Sequence, residues 1–272
     1  MEDLSKFKSI NAEGAFGTSG KYTFIPTTRV VNTLERQGWF PVKAGEKRAR
    51  KFESIGFQEH LIRFRQQNEG VVAVGGIIPE IVLKNSHNGL SSFQIMAGLF
   101  RLVCTNGMVV ADSLFATHRI KHIGYKDQDV IDATFDVISK TPLIMDRVKQ
   151  FQDVSLSVDE QFVFAESALV AKYGQEGKEL TKKFDLERLM YPVRQQDRIN
   201  YTGRVSENTL WNSFNILQEK LVEKGGRFAV APPTSRRLTK KARGISSVSE
   251  NIRVNQALWQ LTERMAELKG AI

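Results

Sequence analysis

The chain has 272 residues, 41% hydrophobic and 25% charged, with 39 basic against 30 acidic side chains for a formal charge of +9. That balance excludes wholesale disorder, and the length fits one large domain or two small ones. No apolar run approaches the roughly 18 residues of a membrane span, and residues 1–10 carry no signal-peptide core, so no membrane partner is expected. The single cysteine, Cys104, allows no internal disulfide and suggests a reducing, cytoplasmic setting.

A short strand is predicted over Lys21–Ile25, ended by Pro26. Thr27 or Thr28 then suits the cap of a helix with Val30, Val31 and Leu34 inward and Gly38 at its exit. Trp39–Val42 reads as extended, and Phe57–Arg65 as a strand with His60, Ile62 and Phe64 on one face. Asn88-Gly89 and Asn106-Gly107 each separate two apolar runs. Both are hairpin signals, because these residue types tolerate positive φ. They predict an antiparallel meander of about three or four strands, although residues 98–104 also suit a short buried helix.

From Asp127 the period becomes helical. The first two predicted inward stripes are Ile131, Phe135 and Ile138, then Val158, Phe162, Ala165 and Leu169. Leu210, Phe214, Leu217 and Leu221 mark a third helix, capped by Ser206 with Trp211 alongside. Val254, Leu258, Leu261, Met265 and Leu268 mark the last, capped near Ser249 or Asn251. Lys172–Lys178, with Gly174 and Gly177, is expected to be a loop. The fold class is therefore α+β. A mixed, mostly antiparallel sheet with a helix is expected over residues 1–125, and a helical half over 126–272.

Charge is concentrated in one place. Lys220, Lys224, Arg227, Arg236, Arg237, Lys240, Lys241 and Arg243 share residues 220–243 with one acid, Glu223. Gly225, Gly226, Pro232, Pro233 and Gly244 disfavour helix and strand there. Residues 220–244 therefore read as a mobile basic arm rather than a folded element. Such an arm can close on a phosphate backbone with salt-dependent, sequence-blind affinity, or serve as a solvated linker. A smaller cluster holds Lys43, Lys47, Arg48, Arg50 and Lys51 with Glu46, and Arg63 and Arg65 follow it.

Catalytic patterns are mostly absent. Residues 15–22 imitate a phosphate-binding loop, but Ala15 replaces its first glycine and Tyr22 stands where Ser or Thr would hold magnesium. There is no Gly-x-Ser-x-Gly elbow. His118 and His122 are four residues apart, yet Arg119 stands where a zinc hydrolase needs glutamate, so no metal or other cofactor is expected. Asp129, Asp132 and Asp136 leave open a magnesium-dependent nuclease, against a solvated helix face. Cys104 lies in an apolar run with no base to activate it. Asn85, Ser86, His87, Asn88, Ser91, Ser92 and Gln94 crowd one hairpin, with Arg101 and Asn106 close behind. They suit phosphate or base contacts, or the needs of their own turn. Phe93 and Phe100 face either bases or the core.

The strings PEIVLKNSHNG (79–89), SSFQ (91–94) and GLFRLVCTNG (98–107) closely resemble the YafZ/YfjQ-like family of phage-, plasmid- and prophage-borne proteins. YTFIPT (22–27), Arg243-Gly244-Ile245 and NQALW (255–259) extend the resemblance over most of the chain. It implies a mobile-element setting and brings no established reaction and no catalytic residues. The expectation is a non-enzymatic DNA-binding protein that favours single strands and acts in annealing or recombination. Arg63, Arg65, Asn85, His87, Asn88, Arg101, Arg227, Arg236, Arg237, Lys240, Lys241 and Arg243 are the residues expected at the DNA. A ring or filament of copies would accompany annealing. The alternatives are a module that binds and redirects a host defence or replication protein, and the nuclease.

Overall fold

The computed structural model describes residues 1–49, 51–66, 77–101, 107–109, 117–124, 126–174, 189–191, 208–222, 227–229, 239–241, 244–245 and 247–272. The chain divides into two compact units, residues 1–143 and 144–272. The architecture is α+β, with the sheet first and helices after it.

In the first unit, helix α1 (Thr27–Arg36) precedes strands β1 (Trp39–Glu46), β2 (His60–Gln66), β3 (Ile77–Asn85), β4 (Phe93–Arg101) and β5 (Gly107–Val109). These pair antiparallel in that order, and β6 (His118–Ile120) also pairs with β4. Helix α1 begins directly after Pro26, whose φ suits a helix entry, and no side chain caps it. Gly38, at φ 81, turns the chain into β1. Strand alternation then sorts the sheet into faces. Phe64 pairs with Ile81, Ile62 with Leu83, and Leu83 with Ile95, and all are buried, giving one continuous apolar layer. Val30, Val31 and Leu34 of α1 are buried in the same unit.

Two sheet expectations change, and one alternative is settled. Residues 21–25 join no strand. Instead, Tyr22 stacks on His122 and the Ile25 carbonyl accepts from the Asn85 side chain. The β3–β4 connection is seven residues (86–92) rather than a tight two-residue turn, with Gly89 at φ 70. Residues 98–101 continue β4, so this part of the run is strand and not helix. Cys104 and Asn106 lie outside the described residues.

Helix α2 (Asp127–Asp153) contains the boundary between the units. The second unit continues with α3 (Val158–Tyr173), α4 (Leu210–Val222), a two-stranded ribbon of β7 (Arg227–Ala229) and β8 (Thr239–Lys241), and α5 (Val248–Leu268). Ser157 and Glu160 close a reciprocal capping box at the start of α3. Ser247 caps α5, two residues earlier than the first expected position, and Ser206 lies outside the described residues. Trp259 anchors this core, with its ring centroid 5.3 Å from that of Phe151 and 6.1 Å from that of Phe214.

The stripe of helix α2 is rotated from its expected position, and that of α5 is met except at its last residue. Helix α2 buries Val130, Ala133, Thr134 and Val137, whereas Phe135 is 48% exposed. Helix α5 buries the expected Val254 and Leu258 together with Ile252, Asn255, Trp259, Thr262 and Ala266, and half-buries Leu261 and Met265, whereas Leu268 is exposed. Both helices also bury a threonine. The Thr134 hydroxyl donates to the Val130 carbonyl and the Thr262 hydroxyl to the Leu258 carbonyl, each at 2.7 Å, so both threonines enter the core already satisfied. In α3, Gln161 and Phe164 are buried beside Ala165 and Leu169, while Val158 and Phe162 are only half-buried. Among the described residues, no helix is long and apolar enough to cross a membrane.

Candidate functional site

Arg63 and Arg65 lie on one face of β2, two residues apart. Both address Glu80 of β3. Arg63 donates from Nε to Oε2 at 2.5 Å and from Nη2 to Oε1 at 2.9 Å, and Arg65 donates from Nε to Oε1 at 2.7 Å. Lys84 reaches Glu59 at 3.0 Å nearby. Arg63, Glu80 and Lys84 are buried. Bidentate pairing of this kind fixes a guanidinium in place. These two arginines therefore serve the sheet, and Glu80 is the partner that the sequence reading passed over. Its signal was an acid inside an apolar strand.

Asn85 and His87 are also buried. The Asn85 amide donates to the Ile25 carbonyl at 3.1 Å and to the Thr27 hydroxyl at 3.0 Å. His60 Nδ1 is 3.2 Å from the Gln58 carbonyl, which assigns it the ring proton. Its Nε2 then accepts from Thr27 at 2.8 Å. The same hydroxyl lies 3.3 Å from His87 Nε2, and the Ser9 backbone also hydrogen-bonds the His87 ring. Burial pushes His60 down to about 4 and His87 down to about 3, with His60 and His122 adding to the second shift. Both rings are neutral near pH 7 and bring no charge to a phosphate. Tyr22 stacks on His122, with centroids 4.5 Å apart, and donates to the Ser86 carbonyl at 3.0 Å. The cluster thus fastens residues 22–27 to the β3–β4 connection. Asn88 stays in that turn, accepting from the Leu90 amide at 3.1 Å.

The histidine pair and the acidic helix face part company. His118 lies in β6 and His122 follows it, so they do not share a helix face. The Asp136 carboxylate is 2.7 Å from His118 Nε2 and accepts from Lys140 at 2.6 Å. Asp132 accepts from Gln128, and Asp129 from the Lys126 amide. Among the described residues, no group of three or more His, Cys, Asp or Glu is placed to hold a metal.

The basic arm starts later than the sequence suggests, and its described residues include a paired ribbon. Lys220 belongs to α4, where it is buried and donates to the Leu189 carbonyl at 2.5 Å. Burial lowers its ammonium to about 7. The arm begins after Val222, and its ends meet where the Ile245 amide donates to the Val222 carbonyl at 3.1 Å. Within it β7 and β8 pair antiparallel, setting Arg227 opposite Lys241 and Phe228 opposite Lys240. Residues 223–244 hold seven basic residues and one acid. Arg236, Arg237 and Arg243 lie outside the described residues, the first two in the segment joining the strands. Arg101 is the last residue of β4.

The root of the arm is held by cations at helix ends. Lys172 of α3 donates to the Leu221 carbonyl at 2.5 Å. Arg253 of α5 donates to the carbonyls of Ala171 at 2.9 Å and Lys172 at 3.4 Å, and it grips Glu250 with two further bonds. The last carbonyls of a helix lack intrahelical donors, and these side chains supply them. Neither Lys172 nor Arg253 was singled out from sequence. For Lys172 the available signal was a basic residue in the last turn of a helix.

Residues 17–259 match the family described as Domain of unknown function (DUF932), and the chain belongs to that family. It is 32% identical over 251 residues to UPF0380 protein YafZ of Escherichia coli (strain K12), covering 91% of this chain and 83% of that protein. It is 30% identical over 247 residues to UPF0380 protein YfjQ of the same strain, with 91% and 83% covered. No solved structure matches the chain.

Proposed function

We propose that this chain is a non-enzymatic DNA-binding protein of a mobile genetic element. It works in a reducing cytoplasm, favours single strands, and uses the arm of residues 223–244 as its main contact. The supporting observation is the pairing of Arg227 with Lys241 across the ribbon. Like charges directly opposite in an antiparallel pair weaken it. Counterion release on a phosphate backbone would offset that repulsion. Phe228, opposite Lys240, adds an aromatic residue suited to an unpaired base. A root tied at both ends reduces the entropy lost on binding. Strand annealing or another recombination step is the activity this arrangement suits.

The test is binding of a fluorescent single-stranded oligonucleotide over a range of salt concentrations. Replacing Arg236, Arg237, Lys240 and Lys241 with Gln should weaken binding at least about tenfold. It should also flatten the log–log salt slope by about 3, at roughly 0.7 per phosphate contact. Unchanged affinity and slope would remove the arm from the mechanism. Absence of binding by the unaltered chain in dilute buffer would remove the whole reading. A second reading, a module for a host protein, is favoured by the groove of about 650 Å³ that Val170, Ala171, Ala257 and Leu261 line between α3 and α5. It predicts a stable host complex that arm neutralisation leaves intact.

A further inference from the structure

The sequence 47–52 carries Lys47, Arg48, Arg50 and Lys51 next to Phe52. In the first unit Phe52 opens a single 3-10 turn (Phe52–Ser54), and its side chain is 89% exposed. A ring of that size normally contributes to a core. The loop around it is fastened rather than loose. The Ser54 amide and hydroxyl both donate to the Lys51 carbonyl, at 3.1 and 2.8 Å, and the Ile55 amide donates to the Phe52 carbonyl at 3.1 Å. Gly56, at φ 93, turns the chain back, and its amide donates to Gln58 Oε1 at 2.6 Å. Further bonds tie both ends down: Lys47 amide to Glu59 carbonyl at 2.7 Å, and His87 amide to Phe57 carbonyl at 3.0 Å. The second of these links the loop to the buried Thr27–His60–His87 network.

Lys43, Lys47, Arg48 and Lys51, which precede Phe52 by nine residues or fewer, are exposed. The nearest acid in sequence on the N-terminal side, Glu46, is turned away, accepting from the Ser9 amide at 3.1 Å and hydroxyl at 2.7 Å. Glu53 is exposed next to Phe52 and disfavours phosphate on its own side. A strand would therefore lie toward Lys47–Lys51. An exposed aromatic ring on a bonded turn, with exposed cations close by in sequence, matches the two needs of an unpaired nucleotide, a face to stack on and a charge for its phosphate. A duplex offers no free base face to such a ring.

Resting on the nucleic-acid reading but using a separate surface, we infer that this loop is a second single-stranded DNA contact, in which Phe52 stacks on one base while Lys47, Arg48 and Lys51 take the adjoining phosphates.

The experiment uses the full chain with three probes of equal length: an oligothymidylate, its abasic backbone analogue and a duplex. The unaltered protein should prefer the oligothymidylate over the abasic analogue. Phe52→Ala should abolish most of that preference, about tenfold, with the salt slope unchanged, and Phe52→Trp should restore it. Replacing Lys47, Arg48 and Lys51 with Gln should flatten the salt slope by about 2 while keeping the preference. The inference is overturned if Phe52→Ala keeps the preference, or if the triple variant keeps the slope, while the arm variant is still weakened; the arm reading then stands alone. A marked fall in melting temperature on Phe52→Ala would also overturn it, by showing that the ring packs. Binding that survives arm neutralisation but fails in the loop variants would instead move the DNA contact from the arm to this loop.

Discussion

The hydroxyl of Thr27 donates to Nε2 of His60 across 2.8 Å, joining the first residue of α1 to the first residue of β2. The bond requires His60 to be neutral at Nε2, and burial keeps it so by lowering the ring to about 4 from an ordinary 6.5. His87, lowered to about 3, behaves likewise.

A pH dependence of stability follows from those two shifts. The folded values lie below the unfolded one, so the unfolded chain takes up protons first as pH falls. This contribution is full above about pH 7.5 and is lost progressively below 6.5, toward 4 for His60 and 3 for His87. Each histidine should add a slope approaching ~1.4 kcal/mol per pH unit in that window. Urea denaturation at pH 7.5, 6 and 5 measures it. His87→Gln should be less stable at pH 7.5 yet show a shallower slope, the remainder coming from His60 and from His122, which burial also lowers. A profile that stays flat down to pH 5 would contradict the neutral, buried assignment.

Glu80 receives both Arg63 and Arg65. Glu80→Gln removes the carboxylate that two guanidiniums address in a buried setting and should cost about 3 kcal/mol. Arg65→Gln, at the more exposed partner, should cost about 1 kcal/mol or less. Equal losses in the two variants would mean that Glu80 is less buried in solution than the geometry indicates.

What the sequence discloses and what it hides follow a physical division. The apolar alternation at His60, Ile62 and Phe64 announces its strand and its face, because period two leaves no freedom in which side is buried. Helix α2 misleads because its stripe depends on Thr134, a polar residue made suitable for burial by a bond to its own helix. The hairpin residues Asn85 and His87 look like ligands in a string of letters. Only the distant partners Thr27 and His60 show them to be internal. The arm is legible as charge, but its closure through Val222 and Ile245 is a backbone contact with no side-chain signature.

The rotated stripe can be tested directly. Val137→Asp places a carboxylate at a buried position of α2 and should cost several kcal/mol, enough to abolish cooperative unfolding in a marginal domain. Phe135→Asp, at a half-exposed position of the same helix, should change stability by about 1 kcal/mol or less. The opposite order would restore the stripe expected from periodicity.

Lys172 offers a way to disturb the arm without touching its charge. Its ammonium donates to the Leu221 carbonyl one residue before the arm's root, and burial has already lowered it to about 8. Lys172→Met should cost about 1–2 kcal/mol through the lost charge-assisted bond. Hydrogen exchange at the Ile245 amide should rise, because its acceptor, Val222, adjoins the uncapped carbonyl. DNA affinity should fall severalfold while the salt slope stays fixed, since no phosphate contact is removed. Lys172→Arg keeps a donor within reach and should recover most of the affinity. A changed salt slope in Lys172→Met would mean that this lysine contacts phosphate itself, and unchanged exchange at Ile245 would mean that it does not hold the root.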